Sequence, residues 1–134
     1  TIILGKQSAG ATMKLAINSV IHSLNQAAAE SLNLAQAAGI ELPLAFVALE
    51  SSAACAPMLR YRKPLHLDEQ AHHLTSTVGL AAKDVDLATR LAQTLYVQMP
   101  QAELNLGILN QASQNGYAHR DMASVISYLN KEHT

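Results

Sequence analysis

The stretch "SAGATMKLAINSVIHSLNQAAAE", Ser8 to Glu30, carries one cation, Lys14, in an otherwise uncharged run that Glu30 closes. Its apolar residues Met13, Ile17, Val20, Ile21, Leu24 and Ala28 recur at three- and four-residue steps, the period of an amphipathic helix. "SAG" reads as a turn feeding that helix, which starts near Ala11. Gly39 is its natural stop, because glycine accepts the left-handed conformation that ends helices. The spacing predicts about 28 helical residues, about 42 Å of rise. A helix longer than the globular average tends to run through the centre of a domain or into a partner.

Outward from this segment, the pattern stays helical. "TIILGKQ", residues 1–7, reads as a short strand or an extended lead-in. Pro43 suits the first turn of a second helix carrying Leu44, Phe46, Val47 and Leu49. Pro57 and Pro64 bracket "PMLRYRKP" as a loop. A third helix is expected from about Val78 to Leu95, with Leu80, Val85, Leu87, Ala88, Leu91 and Leu95 inward, broken by "VQMP". Another runs from about Gln101 to Asn115 and stops at Gly116. Asp121 is a good N-cap for a last helix through Leu129. No internal repeat or low-complexity linker interrupts the chain.

The bulk numbers fit an all-α domain. The length, 134 residues, predicts one domain over residues 1–134. Hydrophobic residues make up 49% and charged residues 14%, a globular balance. A net charge of −1 with no basic block argues against a phosphate-backbone binder. No apolar run is long enough for a membrane span. So little charge is low for a free-standing surface and predicts that part of it meets another domain or subunit. Cys55, the lone cysteine, reads as a core filler in a reducing, intracellular setting.

Two segments could carry chemistry. Lys14 and Asn18 are four residues apart and share a helical face, which His22 and Asn25 continue. On spacing alone this is a solvated polar stripe. Yet such stripes usually carry several charges, and a partly desolvated lysine can act as an acid or base. In "AAKDVDLA", Lys83 and Asp84 begin the amphipathic part of the third helix; Asp84 and Asp86 favour its positive N-terminal end and Lys83 reads as solvated. The histidines (His22, His66, His72, His73, His119, His133) fall in no metal-ligand spacing, and adjacent His72 and His73 would point apart on a helix. GxGxxG, P-loop and GxSxG motifs do not occur.

"SAGATMKLAIN", "AAAESLNLAQAAGIEL", "MLRYRKP", "GLAAKDVDLA" and "NGYAHRDMASVI" follow one another in a recognisable order. Over nearly its whole length the chain resembles the C-terminal helical domain of the β-hydroxyacid dehydrogenases. That is the family of 3-hydroxyisobutyrate dehydrogenase, related to 6-phosphogluconate dehydrogenase. The resemblance implies a helical bundle around one long central helix. It implies Lys14 as the catalytic general acid/base, Asn18 as the substrate-binding amide, and Lys83, in the "KD" motif, on the cofactor side. Glu30 and Asp121 match positions that look structural. The implied cofactor is NAD or NADP, held mainly by an N-terminal Rossmann domain that these 134 residues do not contain; alone they are expected to be inactive. The implied partners are a small hydroxy acid, that Rossmann domain and further copies of the chain, in the cytoplasm. Arg62 and Pro64 match the branch that oxidises four-carbon sugar acids such as threonate. Ser8 stands where many members have glycine, Ile17 where many have asparagine, and Pro57 replaces a frequent tryptophan. The rival reading is a non-catalytic helical module for oligomerisation or partner binding.

Overall fold

The computed structural model describes residues 6–71, 74 and 76–131. The first helix, α1, spans Lys6–Ala37 and is 32 residues long, about 48 Å at 1.5 Å per residue. It starts earlier than the sequence suggests. Ser8, Ala9 and Gly10 are helical, so the expected turn ahead of Lys14 is not there. Among the described residues nothing lies within 4 Å of where a Cβ on Gly10 would sit, so none of their backbone approaches closely there. The reason is local: alanine, lysine and glutamine favour helix, and a single glycine costs only about 1 kcal/mol. At the other end the expectation holds. Gly39 has φ +93°, and the Ile40 amide returns to the Ala35 carbonyl, closing the helix. Residues 1–5 of the expected lead-in lie outside the described residues, as do His72, His73 and His133.

Among the described residues the chain continues as α2 (Leu42–Glu50), α3 (Pro57–Tyr61), α4 (Lys63–Leu67), α5 (Val78–Thr94), α6 (Pro100–Ala112) and α7 (Val125–Lys131), with no strand. "PMLRYRKP" is therefore not a loop. Pro57 and Pro64 each occupy a first helical turn, where their missing N–H is no loss, and start α3 and α4. The helix expected from Gln101 to Asn115 ends at Ala112 and loosens into a π turn, Ser113–Tyr117, with Gly116 at φ +94°. Asp121 caps as expected. Its carboxylate accepts the Ala123 amide at 2.9 Å, over a short 3-10 turn that leads into α7.

α1 is the common wall: α2, α5, α6 and α7 all pack on it. The main core gathers Leu32, Phe46, Val78, Val85, Leu109 and Val125 from α1, α2, α5, α6 and the start of α7. A second cluster joins Ala28 to Met58, Leu59 and Met122, with Ile21, Leu24 and Cys55 at its edge. Cys55 thus serves the apolar role its neighbours suggest. Each large side chain buried this way contributes on the order of 1.5–3 kcal/mol.

Two expected core faces are corrected. In α5 the inward residues are Val78, Ala81, Ala82, Val85, Ala88, Thr89 and Ala92. Leu80, Leu87 and Leu95, placed inward by the sequence pattern, are exposed. The small alanines sit inside because α5 packs closely on both α1 and α6. In α1, Met13, Ile17 and Val20 are 56%, 52% and 57% exposed, since the bundle covers only the later turns on that side.

Candidate functional site

Lys14, Asn18, His22, Asn25, Ala29 and Leu32 follow one another at three- and four-residue steps and so share one face of α1. From His22 onward this face is buried in the bundle. Asn18 is half-buried and Lys14 exposed. The polar stripe is thus the open continuation of the face that α1 uses for packing. The solvated-stripe expectation holds at Lys14 and fails at His22 and Asn25, which the bundle encloses.

The buried part is tied to other helices. Asn25 donates Nδ2–H to the Met122 carbonyl at 3.0 Å. His22 places Nε2 3.5 Å from Asp84 Oδ2 on α5, at the far edge of hydrogen-bond range. Burial holds the His22 imidazole below its ordinary pKa; Asp84 opposes that shift and nearby Arg62 reinforces it. A neutral ring at ordinary pH follows. The "KD" segment therefore meets the stripe, but through Asp84 rather than Lys83. Lys83 is exposed, about 100° around α5 from Asp84 by helix geometry. Among the described residues neither Lys14 nor Lys83 joins an ion pair.

Below the stripe lies a second polar cluster that sequence reasoning did not assemble. Arg62, between α3 and α4, donates to the buried Asp121 carboxylate. His66, one turn on, is buried against the Phe46 ring at a 5.6 Å centroid distance. Burial and the Arg62 charge push its pKa down to about 4, with Asp121 opposing. Lys63 pairs with Glu50 of α2, and Arg120 with Glu69 at 2.8 Å. The proline-flanked arginine segment and the run from Asn115 to Ile126 were the visible signals; their pairing was not.

The segment 76–79 is pinned to 118–122. Val78 N–H bonds to the Arg120 carbonyl at 2.9 Å, Gly79 N–H to the Ala118 carbonyl at 2.9 Å, and Met122 N–H to the Ser76 carbonyl at 2.8 Å. These bonds set where α5 begins, and so where Lys83 and Asp84 stand relative to α1.

The described residues hold no strand and no glycine-rich strand-to-helix turn, the elements that grip a dinucleotide pyrophosphate. What this chain can offer a cofactor is one wall with an exposed cation on it. No group of three or more His, Cys, Asp or Glu suited to a metal occurs among the described residues.

Residues 8–129 match the family model described as NAD-binding of NADP-dependent 3-hydroxyisobutyrate dehydrogenase. The chain belongs to the 3-hydroxyisobutyrate dehydrogenase family. Membership accounts for the long helix and for the order of the five segments. L-threonate dehydrogenase of Escherichia coli K12 is 30% identical over 118 residues, 87% of this chain and 38% of the relative. Its counterpart from Pectobacterium atrosepticum is 29% identical over 122 residues, 90% of this chain and 40% of the relative. A solved 3-hydroxyisobutyrate dehydrogenase from Salmonella typhimurium superposes with a TM-score of 0.82 at 29% identity, covering 90% of this chain and 42% of that one. The Mycobacterium tuberculosis 3-hydroxyisobutyrate dehydrogenase with L-serine gives 0.81 at 20% identity, which shows the shared fold. The chain spans about two fifths of the length of these family members. The all-α domain around one long helix is thus the architecture found.

Proposed function

We propose that this chain is the substrate-binding and dimerisation domain of an NAD(P)-dependent dehydrogenase acting on a small β-hydroxy acid, with a four-carbon sugar acid such as threonate as the leading candidate. The carrying observation is the placement of Lys14 and Asn18, one turn apart, on the uncovered continuation of the packed face of α1. A Rossmann domain set against that face would close a cleft with Lys14 on its floor. Residues 1–134 act as a single domain in this reading, in the cytoplasm. No helix among the described residues is long and apolar enough to cross a membrane.

Oxidising a hydroxy acid requires the hydroxyl proton to leave as hydride departs from the carbinol carbon. The nicotinamide supplies the hydride acceptor. Lys14 takes the hydroxyl proton, and a lysine drawn into a closing cleft loses hydration and exchanges its proton more readily. Asn18 holds the substrate by its side-chain amide, fixing the carbinol near the lysine. Lys83, exposed on α5, contacts the cofactor from the other wall. The exposed apolar stripe of Met13, Ile17 and Val20 is the surface through which a second copy packs.

The test is Lys14→Ala in the full-length gene product, assayed with L-threonate and both NAD and NADP. Turnover should fall about 10²–10⁴-fold, the range of one general acid/base, while the helical circular dichroism is unchanged because Lys14 supports no packing. Near-normal turnover overturns the reading. The rival, a non-catalytic module, requires no nicotinamide turnover from the unaltered protein.

A further inference from the structure

We propose that His22, through Asp84, is a positioning residue that registers the Lys14–Asn18 stripe of α1 against the Lys83 turn of α5; this rests on the dehydrogenase reading above. His22 lies one turn below Asn18 on the same face, at the level where that face passes from buried to open. Its Nε2 reaches Asp84 Oδ2 at 3.5 Å, and Asp84 is joined in sequence to Lys83. The link therefore joins the wall assigned to substrate with the wall assigned to cofactor.

A purely structural contact would not need an imidazole there. His22 is 5% exposed, and desolvating a polar ring costs free energy that a leucine of similar size would not. The side chains next to it on α1, Ile21 and Leu24, already serve the apolar cluster. Asn25 independently clips α1 to the last turn-and-helix segment through the Met122 carbonyl. Ala29 and Leu32 of α1 already share the main core with Val78, Ala81 and Val85 of α5, so the helix pair would hold without His22. What His22 adds is a directional contact to a carboxylate that is itself partly open to solvent. The charged groups around the ring are Asp84 on α5, which draws it, and Arg62 between α3 and α4, which repels its protonated form.

The experiment uses the full-length gene product and measures the Kd for NADH and NADPH by nicotinamide fluorescence, beside Tm. His22→Leu should keep or raise Tm and weaken cofactor binding about tenfold, the scale of a coupling carried through one intermediary. His22→Gln, whose Nε2–H can still donate to Asp84, should stay within about twofold of the parent. Asp84→Asn combined with His22→Leu should be no worse than His22→Leu alone, since one link is broken only once. Unchanged cofactor Kd in His22→Leu, or fully additive losses that track a fall in Tm, overturns the proposal. If the unaltered protein binds neither nucleotide, the dehydrogenase reading falls and this inference with it. Normal binding with a normal His22→Leu variant overturns this inference only.

Discussion

Arg62 and Asp121 lie 59 residues apart in sequence and meet as a buried ion pair, the arginine at the junction of α3 and α4 and the aspartate at the cap before α7. The aspartate has no exposed surface and also accepts the Ala123 amide. One carboxylate thus holds a helix start and a guanidinium together. Removing it takes from the buried guanidinium its carboxylate and from Ala123 its cap, which is costlier than losing a cap alone.

Asp121→Ala is therefore expected to destabilise the chain by about 3–5 kcal/mol, read as a lower midpoint in urea unfolding. Arg62→Met with Asp121→Ala together should recover much of that loss, because the buried cation is removed along with its carboxylate. A double variant as unstable as the sum of both singles would show that the pair is not the reason.

Glycines 79 and 107 should respond with opposite signs. Both are helical, so alanine gains up to about 1 kcal/mol from propensity. A Cβ on Gly107 meets nothing within 4 Å among the described residues, and Gly107→Ala should stabilise. A Cβ on Gly79 would sit 3.0 Å from the Ala118 carbonyl oxygen, backbone that cannot swing aside. That oxygen also accepts the Gly79 amide. Gly79→Ala should lower stability by about 1–3 kcal/mol. Thermal unfolding of the two variants compares them directly, and equal shifts would refute the close approach.

The exposed stripe of α1 predicts self-association. Met13, Ile17 and Val20 recur at four- and three-residue steps, so they form one ridge. Burying an isoleucine contributes about 1.5–3 kcal/mol. Ile17→Glu should raise the dissociation constant of the dimer at least about tenfold, measured by sedimentation velocity over a concentration series. A parent chain that stays monomeric throughout would remove this surface from the account.

How far the sequence could be read follows from what each signal encodes. Periodicity located α1, α2, α5 and α6 because three- and four-residue spacing is a property of one segment. Gly39 and Asp121 were readable as a stop and a cap because both act on their own backbone. Periodicity could not say that Leu80, Leu87 and Leu95 face outward, since alanines and leucines both fit an apolar face. Only the close approach of α1 and α6 selects the alanines. Nor could it see α3 and α4, where two prolines punctuate helices too short to show a period. Lys14 and Asn18 were visible as a pair because they share a face. The partners of His22 and Arg62 were not, because Asp84 and Asp121 come from distant elements and no local rule pairs them.

His66 makes the fold acid-sensitive in a defined window. Its ring is 4% exposed, and both nitrogens are buried without a hydrogen-bond partner among the described residues. The folded pKa is about 4 against an ordinary 6.5. Between those values the unfolded chain binds a proton that the folded chain refuses. Stability therefore falls as pH drops from about 6.5 to 4, by about 3 kcal/mol in all. His22, shifted in the same direction, adds to the slope. His66→Leu removes the titrating group and leaves an apolar side chain against Phe46, with no partner nitrogen or oxygen abandoned. The variant should unfold with a flatter dependence of ΔG on pH from 7 to 4, measured by urea titration at several pH values. A slope equal to the parent's would show that the acid sensitivity arises elsewhere.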